Sequence, residues 1–202
     1  METINFLGQP IMPSKVVCIG RNYVEHIQEL GNEIPEEMVI FVKPNSAISA
    51  QLRTRLEQIH YEAELSFLVE QGRFVGVAVG LDLTNRTLQT KLRNKGLPWE
   101  RAKGFDGSAV FSDFVAIPEH LDDISFELTI NGELIQHGDI NLMMNKPDAI
   151  LQEIQQFMTL VDGDIVMTGT PKGVGELKRG DRYKAEICYQ GKAIMTQEWQ
   201  IK

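Results

Sequence analysis

The sequence of 202 residues is poor in cysteine, in histidine and in basic charge, and each scarcity excludes a class of function. Its two cysteines, Cys18 and Cys188, sit in apolar, strand-like segments, where inert reduced thiols are expected in place of a disulfide or a thiolate metal site. Lys and Arg number 20 against 28 Asp and Glu, a formal charge of -8 that repels phosphate backbones and anionic lipid. Nucleic acid and membrane are therefore excluded as partners. The longest apolar runs, at residues 16–19 and 38–42, fall far short of the roughly 18 residues that a bilayer demands. The opening Met1-Glu2-Thr3-Ile4-Asn5 has neither the basic nor the apolar stretch of an export signal, so a cytoplasmic location is expected.

What is present is an ordinary globular composition, 43% hydrophobic and 24% charged, enough for a sizeable core. The 17 glycines and 8 prolines are scattered without a linker or a repeat, which predicts one domain over residues 1–202. Runs rich in Val, Ile, Phe and Leu predict strands at 15–19, 38–43, 60–69, 74–83, 110–117, 164–168 and 183–189. Phe126, Leu128 and Ile130 alternate with polar neighbours up to the turn pair Asn131-Gly132, a hairpin signal, and a second hairpin is expected near Gln190-Gly191. Helices are expected at 22–30, 84–94 and 147–157, the last with Pro147 in its first turn and Ile150, Leu151, Ile154 and Phe157 on one apolar face. Many strands and few short helices define a sheet-dominated α+β class.

Candidate chemistry begins at His60-Tyr61-Glu62-Ala63-Glu64, where residues two apart in a strand send Glu62 and Glu64 to one face. Two unrelated glutamates on a solvated edge would give the same pattern. Asp82, near the end of an apolar strand, is either a third ligand or the cap of the helix at 84–94. Three carboxylates suit Mg²⁺ or Mn²⁺, which take oxygen ligands and keep positions for water or substrate. His26 and Glu29, three apart on a helix, can form a carboxylate-oriented general base, or a solvated surface pair. Residues 168–175, Thr168-Gly169-Thr170-Pro171-Lys172-Gly173-Val174-Gly175, lack the Gly-Lys-Ser/Thr ending of a phosphate loop, yet can bring backbone amides and the Thr170 hydroxyl to a small anion. Lys103 and Arg86 are candidate carboxylate clamps beside apolar segments.

Taken together, Gly20-Arg21-Asn22-Tyr23 with His26 and Glu29, Phe41-Val42-Lys43-Pro44, Glu62-Ala63-Glu64, Gly80-Leu81-Asp82-Leu83-Thr84, Lys103-Gly104-Phe105-Asp106 and Thr168-Gly169-Thr170-Pro171 resemble the fumarylacetoacetate hydrolase family, in order and in spacing. The resemblance runs from Lys15 to Glu186 and is closest to the small members that act as acylpyruvate hydrolases and oxaloacetate decarboxylases. It implies a strand-rich mixed β-roll and a homodimer. It further implies Mg²⁺ or Mn²⁺ on Glu62, Glu64 and Asp82, and a small 2-oxo acid substrate held by Arg21, Arg86, Gln89 and Thr170. His26 and Glu29 match the dyad of the hydrolytic members, on a segment that orders over the substrate, and Lys103 joins them as a catalytic group. The expected reaction is carbon-carbon cleavage of a 2,4-dioxo or 2-oxo dicarboxylic acid through an enolate. Isomerisation of 2-hydroxy-diene-dioates, and binding without turnover, stand as alternatives. The sequence departs from the family at Arg86-Thr87, where Arg-Asp is common, at Lys103-Gly104-Phe105, where Lys-Ser-Phe is frequent, and at Ala109-Val110-Phe111, in place of a Cys-Pro pair.

Overall fold

The computed structural model describes residues 1–31, 33–53 and 58–201, and its centre is the strand Ala63–Glu70, seven of whose eight residues are buried. A strand apolar on both faces must be covered on both faces. Its partners Arg73–Asp82 and Ile165–Met167 lie to either side. The sheet extends beyond Ile165–Met167 through Lys15–Gly20 to Val39–Pro44, and beyond Arg73–Asp82 through Ala109–Phe111 to Ile48–Ser49. Val115–Ala116 also pairs with Arg73–Asp82, which makes eight strands in all.

One face of this sheet meets a four-stranded antiparallel sheet, ordered Glu133–Asp139, Ile124–Ile130, Arg182–Tyr189, Lys192–Gln200. Leu65, Phe67, Val77, Val79 and Leu81 face Phe126, Leu128, Ala185 and Ile187 in a single apolar layer. Asn131 and Gly132 turn the first hairpin with positive φ at both, as the sequence predicts, and Gln190 and Gly191 turn the second. The opposite face carries Ile4, Val16, Cys18, Leu68, Ala78 and Phe111 in a second cluster. A third cluster seats the long helix against Val17, Ile19 and Val166. Four α-helices occur among the described residues: α1 (Val24–Glu29), α2 (Arg86–Asn94), α3 (Glu100–Lys103) and α4 (Pro147–Phe157). None is long and apolar enough to cross a membrane.

Several expectations need correction. The strand at 60–69 breaks at Glu62, because Ile59–Tyr61 belongs to a separate three-stranded sheet with Thr84–Asn85 and Gly175–Glu176. The helix expected from residue 84 starts at Arg86, since Thr84–Asn85 pairs with Ile59–Tyr61 first. The run at 110–117 forms two short strands. Phe157, at the end of α4, is exposed instead of completing the apolar face of Ile150 and Ile154. The single turn α3 is too short to carry a helical period, so the sequence does not announce it.

Asp164 ties the ends of this frame together. It is fully buried and accepts from the Ser14 hydroxyl, the backbone amides of Ser14, Lys15 and Val161, and the Lys15 ammonium. Burial opposes its charge, but the hydrogen bonds from Lys15, Ser14 and Val161 outweigh burial and hold the carboxyl below its ordinary value of 3.8. A depressed folded-state pKa gives stability that is complete above the unfolded value and is lost as pH falls through the folded one. Asp164→Asn is therefore expected to lower unfolding free energy by about 2 kcal/mol near pH 7. The gap between variant and parent should narrow below about pH 4, as read by denaturant titration at both pH values.

Candidate active site

Strand register assembles the acids. Ala63 pairs with Leu81 and Glu64 with Gly80, so the next step places Glu62 beside Asp82, whose amide donates to the Glu62 carbonyl at 2.8 Å. Glu62 lies outside any strand, which corrects the premise that both glutamates project from one strand, yet its side chain converges with Glu64 all the same. Carboxylate oxygens of Glu62, Glu64 and Asp82 lie within 4.8 Å of one another, and all three residues are buried. Gly80 leaves room for this side of the sheet, since a Cβ there would meet Ser66 Oγ at 2.4 Å and the Phe111 ring at 2.8 Å. Asp82 does not cap α2; the Asn85 side chain does, accepting from the Leu88 amide at 3.0 Å.

Buried acids require buried cations. Lys103 spends all three of its protons inside the cluster, on Glu62 Oε2 at 2.9 Å, Asp82 Oδ2 at 2.6 Å and Thr84 Oγ1 at 2.6 Å. Arg86 pairs with the second oxygen of Glu62 and donates to Gln89 Oε1 at 3.0 Å. Lys43, wholly buried, stands 2.8 Å from Asp82 Oδ1 as an ion pair without hydrogen-bond alignment, while it donates to the carbonyls of Lys103 and Ser108. For Glu62, burial raises the pKa, but Lys103 and then Arg86 outweigh it and hold the carboxyl far below the usual range. Glu64 goes the other way, pushed up by burial and by its like-charged neighbours Asp82 and Glu62. For Lys103, burial favours the neutral form, yet Asp82 and Glu62 prevail and hold the ammonium charged.

His26 is buried and lines the same cavity, so the dyad is not a solvated surface pair. Its Nδ1 stands 3.2 Å from Glu29 Oε2, which fixes the proton on Nδ1 and leaves the Nε2 lone pair for chemistry. Glu29 is held from behind by the Gly173 amide, at 3.1 Å to Oε1 and 3.3 Å to Oε2. The glycine-rich loop thus serves the protein's own carboxylates, because the Gly169 amide donates to Glu64 Oε2 at 2.8 Å. Gly169 has φ 94° and a Cβ there would meet Asn22 Cβ at 2.8 Å. Thr170 lines the cavity, with its hydroxyl engaged by the protein itself. The hydroxyl proton goes to the Ala63 carbonyl at 2.8 Å, and the oxygen accepts from Gln136 Nε2 at 2.9 Å.

Arg21, Arg86, Gln89, Lys103, Thr170, His26 and the three acids all line one cavity of about 120 Å³. That is room for a small metabolite. Val39, Phe41 and Trp99 form its apolar wall, with the Phe41 and Trp99 ring centroids 6.0 Å apart and Lys103 Nζ 5.1 Å from the Phe41 centroid. The departure at Thr87 does not line the cavity; its hydroxyl donates to Gln58 Oε1 at 2.8 Å. Cys18 sits in the apolar layer next to the site, its thiol pushed up by burial and by Asp82, as an inert thiol requires. Sequence reasoning singled out neither Lys43 nor Gln136. A lysine inside the apolar strand at 38–43 was the available signal, whereas nothing local marks Gln136.

The all-oxygen donor set, its burial and the repulsion carried by Glu64 fit a hard divalent cation held by Glu62, Glu64 and Asp82. The site is thus a buried cluster of three carboxylates that could hold a metal ion, set at one edge of a small cavity on a mixed sheet. The fumarylacetoacetate (FAA) hydrolase C-terminal family matches residues 15–201, and the chain belongs to that family. Oxaloacetate tautomerase of Escherichia coli (strain K12) is 38% identical over 203 residues, covering 91% of each chain. A fumarylacetoacetate isomerase/hydrolase-like protein from Oleispira antarctica superposes with TM-score 0.92 at 32% identity over 100% of both chains. Fumarylpyruvate hydrolase from Pseudomonas aeruginosa, solved with Mn²⁺ and pyruvate, superposes with TM-score 0.89 at 29% identity, covering 99% of this chain and 95% of its own.

Replacing any one of Glu62, Glu64 or Asp82 by Ala should weaken Mn²⁺ or Mg²⁺ binding by at least tenfold in calorimetry, with near-ultraviolet circular dichroism unchanged. Full affinity in any variant removes that residue from the ligand set.

Proposed function

We propose that this chain is a divalent-metal-dependent enzyme that acts on a small 2-oxo acid through its enol or enolate, with oxaloacetate enol-keto exchange as its first reaction. The observation that carries the reading is a buried imidazole, oriented by Glu29, facing a cavity floored by three carboxylates. The name of the Escherichia coli relative, which covers most of both chains, supports the choice of oxaloacetate.

A divalent cation on Glu62, Glu64 and Asp82 would supply Lewis-acid stabilisation of negative charge on the substrate's keto oxygen. The rest falls to side chains. His26 Nε2 takes a proton from carbon 3 of the keto form, the C–H electron pair passing into the enolate, and delivers it to the enolate oxygen to give the enol, so that protons balance and no carbon–carbon bond breaks. Glu29 stabilises the imidazolium in between. Arg86, with Gln89 beside it, offers a guanidinium to the 2-oxo acid carboxylate. The apolar wall of Val39, Phe41 and Trp99 excludes water.

Acylpyruvate hydrolysis is the second reading, favoured by the same dyad and by the fumarylpyruvate hydrolase neighbour. There His26 takes its proton from water, the hydroxide adds to the distal ketone, the carbon-carbon bond breaks, and carbon 3 receives a proton.

His26→Ala is expected to slow hydrolysis of an acylpyruvate by about a hundredfold to ten-thousandfold. Glu29→Gln should slow it less, because Glu29 orients and supports the ring but does not itself take the proton. Enol-keto exchange of oxaloacetate, followed by the enol absorbance in excess Mg²⁺, should fall less steeply in the His26 variant than hydrolysis does. Rates equal to the parent in His26→Ala for both reactions would sink the mechanism.

A further inference from the structure

A second cavity, of about 340 Å³, opens between the tip of the hairpin Ile124–Ile130 and Glu133–Asp139 and the strand Gly175–Glu176. It shares no lining residue with the active site. Ile130, Ile135 and the Tyr61 ring give it apolar walls. Glu133, Glu176 and Asp181 stand around it against a single Lys178, which leaves a net charge of -2. Among the described residues none of these four makes an ion pair, and the Asp181 carboxylate accepts one hydrogen bond, from Asn131 Nδ2 at 2.9 Å.

Tyr61 points to a ligand. The residue is only 6% exposed, yet among the described residues its hydroxyl makes no hydrogen bond. A hydroxyl so enclosed ordinarily has a partner. Its oxygen lies over Gly175, where a Cβ would stand 2.6 Å away, and Gly175 is itself part of the lining. The hydroxyl therefore faces the cavity. Burial first, and then the charge of Asp181, push its pKa above the ordinary value of 10.0, so it stays protonated with Asp181 near it.

The charges also say what does not bind. A net negative rim repels phosphates and carboxylates. A bare metal ion needs carboxylate oxygens drawn together, and among the described residues Glu62, Glu64 and Asp82 are the one trio within 4.8 Å of one another. Acids spread around an apolar middle match positive charges that are held apart by hydrocarbon. Each protonated amine donates three hydrogen bonds, and carboxylates and a tyrosine oxygen accept them.

We infer that this cavity binds a small aliphatic diamine. One ammonium sits on the Tyr61 oxygen beside Asp181, the methylene stem lies over Ile130 and Ile135, and the second ammonium reaches the rim of Glu133 and Glu176. The site stands apart from the active site and does not depend on the reaction read there.

The test titrates α,ω-diaminopentane into the full chain by calorimetry, with and without saturating Mg²⁺ at matched ionic strength. One equivalent should bind with a dissociation constant of about 1 mM or tighter, and Mg²⁺ should leave that constant within about twofold. Aminopentane, with a single charge, should bind about tenfold more weakly. Tyr61→Phe deletes a hydroxyl that bonds nothing in the protein, so the fold persists, and it should weaken the diamine about threefold to tenfold. Glu176→Gln, at an exposed and unpaired position, should weaken it about threefold. Glu119→Gln removes the same charge from an exposed position outside the cavity and should change nothing. Absence of saturable binding, or unchanged affinity in Tyr61→Phe, would overturn the assignment. So would equal weakening by Glu119→Gln, which would reduce the effect to the general negative charge of the chain. Competition by Mg²⁺ would place the diamine on Glu62, Glu64 and Asp82 and overturn it as well.

Discussion

Carboxylates cannot be stored inside a sheet without cations stored beside them, and that constraint organises the molecule. Each buried ion forfeits several kcal/mol of hydration, which only close and well-satisfied partners offset. Lys43 and Lys103 approach Asp82 from opposite oxygens, and Lys103 and Arg86 do the same for Glu62. The strand Val39–Pro44 and the helices α2 and α3 are thereby fixed against the central strands. An apolar replacement of such a cluster is often neutral or stabilising in proteins, so its presence in the middle of a core answers to chemistry and not to folding. The hydrophobic layers on either side of the sheet supply the stability against which the cluster is held.

The dyad depends on a second, softer constraint. Helix α1 has six residues and no side-chain cap, too short to persist by propensity alone. It is fixed by contacts with the loop at 168–175, through Glu29 to the Gly173 amide and through Glu25 to Lys172 at 3.1 Å. Glycine is needed at 173 for two reasons, a φ of 99° and a carbonyl, that of Ile135, only 2.2 Å from where a Cβ would stand. The orientation of the His26 ring is thus inherited from a loop nearly 150 residues away in the chain, since Glu29 and Gly173 are 144 apart.

Much of the fold was legible because the main strands of the two large sheets run from 6 to 10 residues, and the two hairpins carry turn pairs with a clear physical preference for positive φ. Helix α4 matches its expected bounds, with Pro147 at its start and Ile150 and Ile154 inward. The errors fell where tertiary pairing overrode local pattern: at Glu62, where one apolar run serves two sheets, and at Thr84–Asn85, which pairs before the helix begins. For the site, the candidate acids, His26 and the clamps are all brought to one cavity, with Glu29 behind His26, yet spacing alone left each with a plain structural alternative. A lysine inside an apolar strand signals that Lys43 needs a partner but does not name Asp82, because an ion pair between strands leaves no local trace of its second member, and sequence cannot show that Glu29 and Glu64 already take the loop amides.

Gln136 carries one consequence further. It projects from the hairpin strand Glu133–Asp139, accepts from the Ala63 amide at 3.0 Å, and donates to Thr170 Oγ1 at 2.9 Å and the Pro171 carbonyl at 3.0 Å. A single amide from the outer sheet therefore spans the residue between the two glutamates and the loop that holds the third side of the pocket. A slip of one residue in that hairpin would turn Gln136 outward and bring a neighbour of opposite orientation into its place. The hairpin tolerates change at its exposed tip, but its alignment is a setting of the active site, and the bulge between Leu128 and Thr129 is the notch that keeps the setting from drifting.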